Sequence, residues 1–224
     1  MNIYNKTNLE VSYDENQMTI TYRLSEASDV EIFKIKKQKK SFVKSTDKTL
    51  NPQNIILLIV ESPHSKEYSN LENPKAVQGA TGTRINKNFI KLINKNKGIK
   101  KELTEKSYRV LVVNPVKFPA SCFLNDAKRT KTIWNKLWNK VSREQFIALL
   151  SGYKQKPSMI INACTGGRMD QDVLKRIAKN TYKGRLPKFL VQRAIYEVFK
   201  DHLYQAPHPC TWDSNTIFEK THKP

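Results

Sequence analysis

Five side chains in this sequence are of the types from which hydrolytic chemistry is assembled. Glu61, Ser62 and His64 form one cluster, Asn114 lies further along, and His208 is near the C-terminus. A carboxylate such as Glu61 can orient a water molecule or support a cationic centre, with Ser62 or His64 positioning it. An Asn amide offers an acceptor and a two-proton donor in one fixed plane, which suits the edge of a nucleobase. His208 stands between Pro207 and Pro209, and a histidine held that rigidly suits stabilisation of a developing anion. Taken singly, each residue has a plainer role: a strand cap for Asn114, a satisfied loop histidine for His208, a helix cap or salt-bridge partner for Glu61. Their placement just after successive apolar runs favours a joint site.

Those runs are the elements that must position the chemistry. In NIILLIVESPHSKEY, residues Ile55 to Val60 are continuously apolar. The run is too short for a helix and too continuous for a half-exposed strand, so it reads as a parallel strand covered on both faces. Arg109 to Val113, Ser158 to Ile161 and Leu203 to Ala206 read the same way, and each leads into a polar loop. Helical spacing separates them, at Phe89 to Ile93, at Ile133, Trp134, Leu137 and Trp138, at Phe146 to Leu150, from about Met169, and at Pro187 to Lys200. The tryptophans of the second group read as core residues. The expected fold is therefore α/β, a central four-stranded parallel sheet flanked by helices, whose loops converge at the carboxyl edge where such sheets bind ligands.

Residues 1–50 read as a small N-terminal β extension, with alternating patterns at Met18 to Tyr22 and Val30 to Ile35. The segment ends in the basic run Lys34 to Lys48, expected as a solvated face or linker that also offers charge to a DNA backbone. Residues 51–224 form the expected main domain.

Charge narrows the partners. The 224 residues hold 40 Lys and Arg against 20 Asp and Glu, a formal +20, with a pI near 9.8. Such a surface favours nucleic acid over anionic membrane, because phosphate contacts release condensed counterions. Cys122, Cys164 and Cys210 have neither the even number nor the spacing of a disulfide framework, zinc site or iron–sulfur cluster. No signal-peptide pattern or membrane-length apolar run is present. A soluble, cytoplasmic monomer is expected, without metal or cofactor and without membrane contact.

The pieces IVESPH, VLVVNPVKFPAS and YQAPHPCTW, in this order and at these separations, resemble the uracil-DNA glycosylase superfamily. There a first strand ends in a GQDPYH-type motif, a second in a pyrimidine-reading Asn, and the last in a histidine-proline loop. The resemblance covers residues 54–224 and implies a uracil-DNA glycosylase-like fold. It also implies that Asn114 binds an extruded base, that His208 stabilises charge on the leaving base, and that Trp212 is the wedge that fills the duplex. Ser62 stands where members carry the water-activating Asp, and His64 where they carry the Tyr that excludes bulkier pyrimidines. Glu61 is then the carboxylate expected near the sugar, with Glu67 and Asp213 in reserve, and Tyr68 substitutes for the stacking Phe. Arg168, in the TGGR segment from Thr165, is a further expected DNA contact.

The expected activity is hydrolysis of the N-glycosidic bond of a flipped base, a modified or non-uracil pyrimidine, as in defence against phages with modified DNA. The alternatives are uracil excision in repair and an inactive glycosylase-fold module that grips DNA. A third class, a nucleotide-binding or phosphotransfer enzyme built on TGGR, lacks the full Gly-rich pattern.

Overall fold

The computed structural model describes residues 30–62, 77, 79–117, 134–135, 137–153, 156–165, 187–200 and 203–221. The strand pattern at Met18 to Tyr22 and the helix expected from Met169 lie outside them. The described chain is an α/β structure with seven strands in one mixed sheet. The strands are β1 (Val30–Gln38), β2 (Ser41–Ser45), β3 (Ile55–Ile59), β4 (Ser107–Val113), β5 (Met159–Asn162), β6 (Leu203–Gln205) and β7 (Glu219–Lys220), in the order β2-β1-β4-β3-β5-β6-β7.

The four expected strands are the parallel centre, β4-β3-β5-β6. The sheet as a whole is nevertheless neither four-stranded nor purely parallel. β1 pairs antiparallel with β4, and β7 antiparallel with β6. The basic run Lys34 to Lys48 is also no linker. It forms most of a β1–β2 hairpin, turned at Lys39-Lys40, whose Phe33, Ile35 and Phe42 are buried in the main core. Alternation explains this, since lysines occupy positions between the buried residues and leave one face apolar. Several of these lysines are held internally: Lys34 Nζ donates to the Leu50 carbonyl at 2.6 Å, and Lys44 Nζ to Asn86 Oδ1 at 2.8 Å.

Among the described residues four α-helices cover the sheet: α1 (Ala80–Lys95), α2 (Lys97–Glu102), α3 (Arg143–Ser151) and α4 (Pro187–Val198). None is long and apolar enough to cross a membrane. Strand alternation splits the core in two. Ile56, Leu58 and Val60 pack with Ile85, Phe89 and Ile93 of α1 on one face; Leu57 and Ile59 pack with Trp134, Trp138, Phe146 and Ile195 on the other. Trp134 and Trp138 are buried and stacked, with ring centroids 5.1 Å apart, as their helical spacing predicts. Trp138 opens a π-helical turn, Trp138–Ser142, that runs into α3.

Two features of α1 tie distant segments together. Asn94 accepts from the Phe42 N–H at 2.7 Å and donates to the Phe42 carbonyl at 2.8 Å, so one amide serves both backbone groups of an edge-strand residue. At the other end, Gly82 is buried under Val77, which adopts φ 60°. A Cβ at Gly82 would lie 1.8 Å from the Val77 carbonyl oxygen. Alanine would gain up to about 1 kcal/mol of helix propensity, but contact with backbone at that range forces the segment over α1 to move. Gly82→Ala is expected to cost roughly 1–3 kcal/mol net, read as a lowered urea midpoint; an unchanged or raised midpoint would remove this account of the glycine.

Candidate active site at the carboxyl edge

Four loops leave the parallel strands at one edge, and the ladder carries three of these strands a residue further. Val60 N donates to the Val113 carbonyl at 3.0 Å, Ala163 N to that of Ile59 at 2.8 Å, and Ala206 N to that of Asn162 at 3.1 Å. Asn114 follows β4, Glu61 and Ser62 follow β3, Thr165 follows β5, and His208 follows β6. Asn114, Glu61 and Ser62 are buried, at 1 %, 8 % and 9 % exposure. The chain passes from β3 to β4 on one side and returns to β5 on the other, so the crevice of this topology lies between β3 and β5. Glu61 spans that point, its Oε2 accepting from the Thr165 N–H at 3.0 Å. Its carbonyl accepts from Trp134 Nε1 at 3.1 Å, so the core tryptophan fixes the backbone under the acid.

Behind Glu61 the thiol of Cys164 donates to the Val60 carbonyl at 3.5 Å and is fully buried. Burial, reinforced by the Glu61 charge, pushes that thiol well above its ordinary pKa. It is a protonated packing group and no nucleophile.

His208 caps the short 3₁₀ turn Pro209–Thr211. Its Nδ1 lies 3.1 Å from Cys210 Sγ and 3.4 Å from the Cys210 N–H. The N–H can only donate, so Nδ1 is the acceptor and the ring proton resides on Nε2. Burial, aided by the nearby Lys188 ammonium, pushes the imidazole pKa down to about 4. At neutral pH His208 is therefore an uncharged hydrogen-bond donor.

Lys188 supplies the positive charge, and sequence reading passed over it. It occupies the first turn of α4, where its Nζ donates to the Ala206 carbonyl at 2.5 Å and its carbonyl accepts from Asn162 Nδ2 at 2.8 Å. Burial lowers its pKa. The signal was a lone Lys after Pro187 at a helix start, lost among 40 basic residues. Lys188 and His208 line a cavity of about 570 Å³ with Thr165, Gln205, Thr211 and Ile217, within the ~300–1,000 Å³ range of ligand pockets.

The expected site is thus brought together in part. Glu61, Ser62, Asn114 and His208 share the edge, while His64, Tyr68, Glu67 and Arg168 lie outside the described residues. Trp212 must be corrected. It is fully buried, packed on Phe89 and Phe218 with centroids 6.3 and 5.2 Å away, and its Nε1 donates to the Pro207 carbonyl at 2.8 Å. A ring enclosed in this way cannot enter a duplex without unpacking the core. Among the described residues, the exposed large apolar residue beside the cavity is Ile217, at 61 % exposure. Asp213, a reserve carboxylate, is turned to its own loop, accepting from the Asn215 N–H at 2.8 Å and from Thr216 Oγ1 at 3.2 Å.

The depressed His208 pKa has a consequence for stability. Between about pH 6.5 and 4 the unfolded chain binds a proton at this residue that the folded chain does not. Stability from this group is therefore full above about 6.5 and is lost as pH falls toward 4. The wild type should lose more urea resistance than His208→Gln between pH 7 and pH 4.5; equal losses would show that the imidazole is not held neutral. Comparisons of the chain with protein-family models, with curated proteins and with solved structures gave no match.

Proposed function

We propose that the chain is a DNA glycosylase of uracil-DNA glycosylase-like architecture that hydrolyses the N-glycosidic bond of a flipped base. The observation that carries this reading is the placement of Asn114, Glu61 and His208 at the carboxyl ends of β4, β3 and β6 in one parallel run of strands, with His208 and Lys188 beside one cavity. Cleavage of such a bond passes through an oxocarbenium-like sugar while the base leaves with the bonding electrons. Asn114 reads the base edge, and the Nε2–H of His208 donates to the oxygen where negative charge collects. A neutral donor suits this task, because it stabilises the anion without needing to protonate it first. Glu61 stands on the side of the positive charge that develops at the sugar and directs the water that ends the reaction. The substrate is a modified or non-uracil pyrimidine, since His64 replaces the ring that excludes bulkier bases, and phage DNA with modified cytosine or thymine is its source.

A second reading, a module that holds flipped bases without chemistry, has one observation in its favour: Glu61 is committed to the Thr165 N–H, and Ser62 stands where an activating Asp would be.

Base release from duplexes containing uracil, other deaminated bases and modified phage pyrimidines separates the two. The wild type is expected to generate abasic sites on one substrate, and Asn114→Ala and His208→Ala are each expected to lower the rate by about 10²–10³-fold. No abasic sites on any DNA, with binding retained, would leave only the module. Ile217 takes the part first expected of Trp212, filling the gap left by the flipped base. Ile217→Ala should therefore slow release from duplex DNA about tenfold while sparing the same base in a single strand; equal effects on both would remove the wedge.

A further inference from the structure

α1 carries Arg84, Lys87, Lys91 and Lys95 and no Asp or Glu. Their spacing of three, four and four residues sets all four on one stripe of the helix, and together with Asp213 and Ser214 they line a groove of about 430 Å³. Arg84 begins the stripe against the site loop, its guanidinium donating to the Trp212 carbonyl at 3.5 Å. Burial raises the pKa of the Cys210 thiol and the Arg84 charge opposes that rise, so Arg84 acts at the neighbour of His208. At the far end Lys95 Nζ donates to the Ser214 carbonyl at 2.9 Å. Between them, no hydrogen bond or ion pair among the described residues takes up Lys87 or Lys91, both exposed. The acid in the groove, Asp213, is occupied by its own loop, whose donors hold its carboxyl below the usual range.

We propose that this stripe is the track for the phosphate backbone of one DNA strand, leading away from the pocket mouth along α1. From Arg84 to Lys95 the helix rises about 16 Å, a length comparable to the axial rise of about five nucleotides of one strand. The β1–β2 hairpin is richer in lysine, but it lies at the far edge of the sheet from β6, the strand that leads to His208. The inference rests on the reading of the site as a DNA pocket and assigns the path by which DNA reaches it.

The test uses the full chain and an unmodified, fluorescein-labelled duplex, so it does not require base release. The affinity is measured from 0.05 to 0.2 M salt, the range over which phosphate contacts dominate the response. The variant Lys87→Gln/Lys91→Gln is expected to flatten the plot of log K against log salt by about 1.8, or 0.9 per lost contact. The control Lys40→Gln/Lys48→Gln, two exposed hairpin-region lysines, is expected to leave the slope within about 0.5 of the wild type. An unchanged slope in the α1 variant, or an equal loss in the control, would overturn the track. So would a variant that loses only adsorption to phosphatidylserine vesicles, which would assign the stripe to a membrane surface. If the α1 variant binds unmodified DNA normally while the wild type still releases a base, the track alone fails; if the slope falls as expected and no base is ever released, the glycosylase reading fails and the track stands.

Discussion

The parallel pairing of β3 with β4 on one side and β5 on the other is the constraint on which the rest of the molecule depends. A strand hydrogen-bonded on both edges and covered on both faces has no polar surface of its own, which is why Ile55 to Val60 contains none. Polar groups can appear only where the strand stops. Because the neighbours run in the same direction, all of them stop at the same edge. Glu61, Asn114 and Thr165 meet there as a consequence of strand direction, although they lie far apart in the chain. The hydrogen bond from the Thr165 N–H to Glu61 then closes the gap at the point where the connections diverge.

Electrostatics at the β6 end follow from the same burial. An imidazole and an ammonium placed together cannot both stay charged at low cost in a desolvated corner. The proton is given up by the weaker base, His208, while Lys188 keeps its charge by donating to the Ala206 carbonyl. The pair thereby divides its work: a fixed cation tied to the sheet, and a neutral donor aimed from a proline-braced loop. Neither residue alone would give the site both a field and a directional hydrogen bond.

The parallel centre was legible because buried strands have a local signature, a continuous apolar run that ends in polar residues. The convergence of Glu61, Asn114 and His208 followed from it by topology. The first strand of the hairpin was legible from the alternation at Val30 to Ile35, whereas its return at Ser41–Ser45 was hidden because the lysine-rich run reads as a solvated segment although it buries Phe42. Trp212 was misassigned for a different reason. Whether a tryptophan in a loop faces solvent or core depends on partners remote in sequence, here Phe89 and, across the following turn, Phe218. Lys188 illustrates a third limit, since its importance lies in partial burial and in its bond to the Ala206 carbonyl, and composition alone cannot distinguish one half-buried lysine from the many on the surface.

The amide of Asn94 bears on how copies of this chain behave towards each other. An edge strand presents backbone donors and acceptors to solvent, and a second chain can add to them as a further strand. At Phe42 both groups are already occupied by Asn94, within a strand only five residues long. The side chain imitates the strand that would otherwise dock, and it does so from a helix that cannot continue the ladder. At Phe42 that edge of the sheet is closed by a hydrogen-bonding cap as well as by charge.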